Sequence, residues 1–404
     1  MNKREKIAFV LPNLYGGGAE KVALNLCREF IRRNFDVDLL LIKKTGVYLR
    51  QAPDNLKIVE LKQRDKFLTI LFILKHLRLS HFKNDTCNIF WNIAHIKIPR
   101  KPLLPVLSLA EYIKREKPSV VISFLHHSNV ITILAKMVSN LPVKCIISLR
   151  NTFSREKKDP SEIIPLLTNI LYNKIDVIDA IIVPSNGVKA DFLKVFDIPQ
   201  EKIKVIHNPI CLEEIQKKQK EEITLPDWLN KKERDFSIVL AIGRLVPQKS
   251  FEDLIIAFFA VRQKRKAKLI ILGEGIERER LEDRIKSLKL EEDVLLPGFV
   301  DNPYPYMAKA DVFVLASKYE GFSNVILDAL ACGVSVVSAD CPGGLKEISE
   351  NEKYGKLVPV GDIFAMAQAI EKVLDSPFDS KDLIQKAGEF EIKKIADKYL
   401  EVML

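Results

Sequence analysis

Runs of apolar, largely β-branched residues recur along this 404-residue chain, with stretches of helical periodicity between them. Residues 7–12 (IAFVLP), 37–42 (VDLLLI), 57–61 (KIVEL), 119–124 (SVVISF), 144–149 (KCIISL), 180–185 (AIIVPS) and 202–209 (KIKVIHNP) form one series. A second series runs through 237–245 (SIVLAIGRL), 268–275 (KLIILGEG), 293–299 (DVLLPGF), 311–317 (DVFVLAS), 334–339 (VSVVSA) and 356–360 (KLVPV). A strand that is apolar from end to end needs cover on both faces, and intervening helices supply it when the sheet is parallel. The expected class is therefore α/β, with two doubly wound Rossmann-like parallel-sheet domains facing a central cleft at the carboxyl ends of their strands. The charged stretch 211–236, carrying Pro226, reads as a linker. Expected boundaries are 1–209 and 210–389, with a C-terminal helix at about 390–404 packing back on the first domain.

Composition narrows the class of partner. With 47% hydrophobic and 29% charged residues the chain is not of the disordered type. Six cysteines are scattered without a C-x-x-C pair, which fits reduced thiols in a cytoplasmic protein. No apolar run is long enough to span a bilayer, and the N-terminus lacks the apolar length of a signal peptide. The net charge of +10 is uneven: residues 1–200 carry 32 basic and 18 acidic side chains, residues 201–404 carry 31 and 35. The first half should be drawn to something anionic. Residues 62–83 (KQRDKFLTILFILKHLRLSHFK) mix large apolar side chains with Lys62, Arg64, Lys66, Lys75, Arg78 and Lys83. That suits a helix lying in an anionic membrane surface, or equally an internal helix with a solvated rim. No nucleic-acid-binding module is present, so nucleic acid is not an expected partner.

Several motifs could carry chemistry. Gly16, Gly17 and Gly18 follow the first strand and open a helix, a setting that favours an anion, but Lys21 stands where a dinucleotide fingerprint needs its third glycine. GRLVPQKS (243–250) has Gly243, Lys249 and Ser250 in phosphate-loop register, yet Gln248 replaces the second glycine, which excludes a nucleoside triphosphatase. What remains is a strand end presenting Arg244 and Lys249, two cations suited to a diphosphate. In KYEGFSNVILDALACG (318–333) Glu320 precedes a helix that starts near Ser323, its expected cap, and Asp328 follows one turn inside. Carboxylates flanking a helix N-terminus that can hold phosphate suit a ligand with both phosphate and hydroxyl groups. Asp36 and Asp38 lie at the wrong end of their strand for a metal site, and His76 and His81 lack partner cysteines, so neither a metal nor a cofactor is expected.

Taken together, EGFSNVILDALACG, GRLVPQK and GEGIERERL (273–281), with GGGAEK, SFLHHSN (123–129), SLRN (148–151), VIHNP and DCPGG (340–344), resemble the retaining GT-B glycosyltransferases of family four. The resemblance covers nearly the whole chain. It implies that Glu320 contacts the donor sugar near the reacting carbon, and that Asp328, where the family usually has glutamate, serves the ribose hydroxyls. By the same resemblance Gly243, Arg244, Lys249, Glu274 and the amides of Phe322, Ser323 and Asn324 bind the donor. His126, with His127 beside it, matches the family histidine, whose role is to hold the donor sugar or line the acceptor cleft. Gly17 and Gly18 allow close approach of backbone to ligand, and Arg150 could hold an acceptor phosphate. The expected reaction moves a sugar from a nucleotide diphosphate donor, UDP-linked before GDP-linked, to a polyprenyl-diphosphate-linked or growing surface glycan. The nucleotide sugar is a substrate and no cofactor is implied. The expected location is the inner face of the cytoplasmic membrane, as a peripheral protein. A sugar-nucleotide epimerase on the same fold, or a non-catalytic scaffold subunit, are the alternative readings.

Overall fold

The computed structural model describes residues 4–63, 103–154, 167–169, 171–172, 175–223, 226–230 and 234–404. They divide into two compact units, Met1–Pro184 with Lys189–Ile206 and Ile395–Leu404, and Ser185–Val188 with His207–Lys394.

The first unit is built on β1 (Lys6–Leu11), β2 (Asp36–Leu41), β3 (Lys57–Glu60), β4 (Val120–Phe124), β5 (Lys144–Ser148), β6 (Ala180–Val183) and β7 (Ile203–Val205). They form one parallel sheet in the order β3-β2-β1-β4-β5-β6-β7. The order reverses at β1 and β4, the switch point where loops diverge and leave a crevice. The helix Gly18–Arg32 covers one face through Val22, Leu26 and Phe30, one turn apart. It ends where Asn34 takes a left-handed conformation at φ 70°.

The second unit repeats the plan with β8 (Ser237–Ile242), β9 (Ala267–Leu272), β10 (Val294–Gly298), β11 (Val312–Leu315), β12 (Ser335–Ala339) and β13 (Lys356–Val358), ordered β10-β9-β8-β11-β12-β13. Alternate residues go to opposite faces. Ile238, Leu240, Ile270 and Phe313 belong to one core, while Val239, Ala241, Leu269 and Val312 belong to the other. The double burial explains why these strands lack polar alternation.

The segment 211–236 is not a simple linker. It contributes the helices Leu212–Lys218 and Asp227–Asn230, and buries Ile215 and Leu229 in the first of those two cores. Its charges flank a few apolar anchors, so average composition hid a packed element. The C-terminal helix Ile392–Met403 has its residues from Ile395 onward in the first unit, where Asp397 pairs with Arg33. The expected interfacial helix lies outside the described residues from Arg64 onward. Among the described residues no helix is long and apolar enough to cross a membrane.

Asp38 has no contact with solvent. Its Oδ2 accepts from Tyr112 Oη at 2.7 Å and Lys57 Nζ at 3.1 Å, with Lys6 Nζ 3.6 Å away. Lys6 also donates to Glu116 at 2.8 Å, and that bond is the main reason the Glu116 carboxyl is held down to about 2. A buried carboxylate with too few donors is costly. Tyr112→Phe should therefore destabilise the protein by about 1–3 kcal/mol in urea unfolding. An unchanged midpoint would mean that the lysines alone satisfy Asp38.

Candidate active site

In the second unit β8 and β11 are neighbours, so their carboxyl ends open side by side. After β8 come Gly243, the exposed Arg244 and a 3₁₀ turn, Pro247–Lys249. Gln248 ties this turn to the chain after β11: its carbonyl accepts from Lys318 N and its Nε2 donates to Tyr319 O, both at 2.8 Å. The clasp brings Lys249 Nζ to 2.6 Å from Glu320 Oε1, with the two side chains 14% and 12% exposed. Largely removed from water, each charge is compensated by the other. The Lys249 stem lies over Gly243, where a Cβ would be 3.2 Å from Cε. Cys341 is close enough to feel this pair: burial first, then the Glu320 charge, push its thiol up to about 12. It stays protonated and is no nucleophile.

Gly273, at φ +145°, passes so close to Gly243 that a Cβ would strike the Gly243 carbonyl. The approach lets Leu245 N donate to Glu274 O at 2.8 Å, which sets Glu274 next to the β8 loop. The half-exposed Glu274 carboxylate accepts from Arg278 Nη1 at 2.5 Å.

The helix Asn324–Ala331 starts directly after Phe322 and Ser323, and its first-turn N–H groups point out of the helix end. Ser323 holds the N-cap position, but its hydroxyl makes no capping bond. Among the described residues its buried Oγ has no hydrogen-bond partner, so the expected cap is corrected. The turn is fixed from outside instead. Asn208 Nδ2 donates to Phe322 O at 3.1 Å and to Asn324 Oδ1 at 2.7 Å. Gly343, at φ +142°, passes beneath the Glu320 carbonyl where any Cβ would collide. Asp328 is only 3% exposed, on the second turn, with Tyr304 Oη 3.5 Å from Oδ1. Its carboxylate is thus set back from solvent.

Behind Phe322, the His207 ring stacks at 4.9 Å between centroids and 13° between planes. Glu347 holds that ring through Nε2 at 3.1 Å and also accepts from Asn186 N at 2.8 Å, Asn186 Nδ2 at 3.0 Å and Gly187 N at 3.3 Å.

In the first unit Gly17 caps the helix Gly18–Arg32 at the carboxyl end of β1. Beyond the adjacent β4, Leu125 takes φ +73°, strained for leucine, and the helix His126–Ser139 begins at once. His126 Nδ1 lies 2.9 Å from Tyr172 Oη, and its ring meets the Phe153 ring edge-on at 5.2 Å. Arg150 follows β5; its Nη2 donates to Tyr399 Oη at 2.6 Å and its guanidinium covers the Phe124 ring at 4.3 Å.

The structure thus joins Lys249 to Glu320 and sets Gly243 beneath the lysine, while Asp328 lies inside its helix and Arg150 is engaged by Tyr399 and Phe124. Sequence reasoning missed Gln248, His207, Asn208, Glu347 and Tyr172. His207 and Asn208 were within reach, because VIHNP follows a strand end; Glu347 and Tyr172 carry no local signal.

Burial raises the Glu347 carboxyl, but the bonds from His207, Gly187 and Asn186 outweigh it and hold it below its ordinary 4.5. A lowered carboxyl contributes stability that is complete above the unfolded value and lost as pH falls through the folded one. Wild type should therefore exceed Glu347→Gln in unfolding midpoint by a constant margin near neutral pH. The margin should shrink below pH 4.5. A margin that grows in acid would contradict these contacts.

Comparison with known proteins agrees with this architecture. Residues 227–390 match the family described as Glycosyl transferases group 1, and residues 16–214 match Glycosyltransferase Family 4. A Campylobacter jejuni protein, N-acetylgalactosamine-N,N'-diacetylbacillosaminyl-diphospho-undecaprenol 4-alpha-N-acetylgalactosaminyltransferase, is 34% identical over 289 residues, 70% of this chain and 72% of that one. A second from the same organism, GalNAc-alpha-(1->4)-GalNAc-alpha-(1->3)-diNAcBac-PP-undecaprenol alpha-1,4-N-acetyl-D-galactosaminyltransferase, is 26% identical over 405 residues, 98% of each chain. Among solved structures, Anabaena HepE in complex with UDP and glucose superimposes with a TM-score of 0.75 at 19% identity, over 98% of this chain and 99% of that one. Two switched parallel sheets, matches to both family halves and the shared motifs converge: this chain belongs to the group 1, family four glycosyltransferases and has the GT-B fold.

Proposed function

We propose that the chain transfers a sugar, with retention of anomeric configuration, from a UDP-sugar to a polyprenyl-diphosphate-linked glycan. The observation that carries this reading is the 2.6 Å Lys249–Glu320 pair at the switch point of the second sheet, beside the N-terminus of Asn324–Ala331. A diphosphate bound there meets Arg244, Lys249 and the amides from Phe322 to Asn324. Lys249 then turns from Glu320 toward the diphosphate, and the freed carboxylate engages the sugar near its reacting carbon. Glu274 lies on the donor side, and Asp328 acts on the ribose from within its helix. In the first unit His126 serves the donor sugar, Gly17 and Gly18 permit close approach, and Arg150 serves an acceptor phosphate.

The chemistry proposed is front-face. The bond from the anomeric carbon to the diphosphate oxygen breaks as the acceptor oxygen bonds on the same face, and the departing diphosphate takes the acceptor proton. Negative charge grows on the diphosphate, where Arg244, Lys249 and the helix end stabilise it. No metal or cofactor enters this scheme. The names of the two Campylobacter relatives favour an N-acetylhexosamine as the sugar, and UDP bound to HepE favours a UDP donor over GDP. The basic excess of residues 1–200 supports work at an anionic membrane on its cytoplasmic face.

Glu320→Gln should lower kcat by about 10²–10³ with an unaltered circular dichroism spectrum. Arg244→Ala with Lys249→Ala should weaken donor binding by about 1.5–3 kcal/mol per cation in calorimetry. A chelator should leave turnover unchanged. Full activity of Glu320→Gln would overturn the reading, and equal donor affinity in the double variant would remove the two cations from it.

A further inference from the structure

The turn that leads into the helix Asn324–Ala331 is gripped by its carbonyls, and each grip has a fixed direction. Ser185, 0% exposed, belongs to the second unit together with Val188. Its Oγ accepts from Val188 N at 3.1 Å and lies 3.2 Å from the Gly321 carbonyl. An N–H can only donate and a carbonyl can only accept, so the hydroxyl gives its one proton to Gly321 O. One residue on, Asn208 Nδ2 donates to Phe322 O at 3.1 Å. Gly344 keeps this corner tight: a Cβ there would overlap the Phe322 ring and stand 2.9 Å from Ser185 Cβ. The consequence lies in the other half of each peptide. The described peptide bonds are all trans, and in a planar trans peptide the C=O and the following N–H point in opposite directions. With Gly321 O drawn to Ser185, the Phe322 N–H is aimed away from Ser185. With Phe322 O drawn to Asn208, the Ser323 N–H is aimed away from Asn208. Among the described residues neither amide has an acceptor, although Phe322 and Ser323 are only 5% and 3% exposed. Amides on buried residues are seldom left so, and these two call for an acceptor from outside the chain.

We propose that Ser185 and Asn208 are positioning residues of the donor site: by holding the Gly321 and Phe322 carbonyls they turn the Phe322 and Ser323 amides out to donate to the donor's diphosphate. Neither side chain touches the ligand; each acts through one peptide. Donors aimed in advance by buried side chains need no rearrangement as negative charge grows on the leaving diphosphate. The proposal rests on the reading of this turn as the place of the diphosphate, and its test keeps the two apart.

The full-length protein, labelled with ¹⁵N-phenylalanine and ¹⁵N-serine, is titrated with UDP and with GDP. The two amides are assigned by their loss in Phe322→Leu and Ser323→Ala. Both amide protons should move downfield as the nucleoside diphosphate binds and stay in place with the parent nucleoside, which has no phosphate. Binding of a nucleoside diphosphate that leaves both in place overturns the proposal without recourse to any variant. Two variants then test the tethers: Ser185→Ala, and Asn208→Asp, whose carboxylate cannot donate to Phe322 O. Each should weaken the nucleoside diphosphate about tenfold, the worth of one hydrogen bond, and leave affinity for the nucleoside unchanged. Undiminished diphosphate affinity in both folded variants overturns the proposal, and so does an equal loss for the nucleoside, which would mark damage to the whole site. If the wild type binds neither UDP nor GDP, the nucleotide-sugar reading itself falls, and this proposal with it.

Discussion

In a parallel sheet every strand delivers its carboxyl end to the same edge, and this constraint brings the candidate site together. Lys249 and Glu320 are 71 residues apart in sequence and meet at 2.6 Å because β8 and β11 are adjacent where the strand order reverses. The same logic in the first unit sets the Gly17 turn and His126 on the neighbouring strands β1 and β4. Neither arrangement depends on a long loop. Each uses a connection of eight residues or fewer between a buried strand and the helix that follows it.

Electrostatic balance is what such a site must solve. Glu320 would be costly to withdraw from water alone, and Lys249 supplies its counter-charge. A helix N-terminus begins four residues beyond Glu320, and such an end favours an anion. Around this centre further polar side chains hold the backbone. Gln248 fixes the turn that carries Lys249, Asn208 fixes the turn that carries Phe322, and Glu347 steadies His207 behind Phe322. These side chains set the angles at which the charged ones work.

Much of this was legible in the sequence, and for a physical reason. Strands buried on both faces have to be continuously apolar, so every run read as a strand, from IAFVLP to KLVPV, is one. Glu320, Lys249 and Gly243 were legible because special turns demand special residues. The rest depends on tertiary contacts. The segment 211–236 looked like a linker because two apolar anchors, Ile215 and Leu229, are outvoted by charge. Ser323 stands at the N-cap, yet its hydroxyl does not cap, since Asn208 from a distant segment already sets the turn. Tyr172 lies 46 residues from His126, and no local pattern announces that the two meet.

The central claim is that the Lys249–Glu320 pair marks a nucleotide-sugar site. It is tested most directly by thermal unfolding of the full chain against a panel of UDP- and GDP-sugars, N-acetylhexosamines included. A true donor at a hundredfold excess over its Kd should add about 2.7 kcal/mol of stability. The account predicts that gain for a UDP-sugar and its disappearance when Arg244 and Lys249 are both replaced by alanine. Stabilisation by no nucleotide sugar, or an equal gain in the double variant, would contradict it.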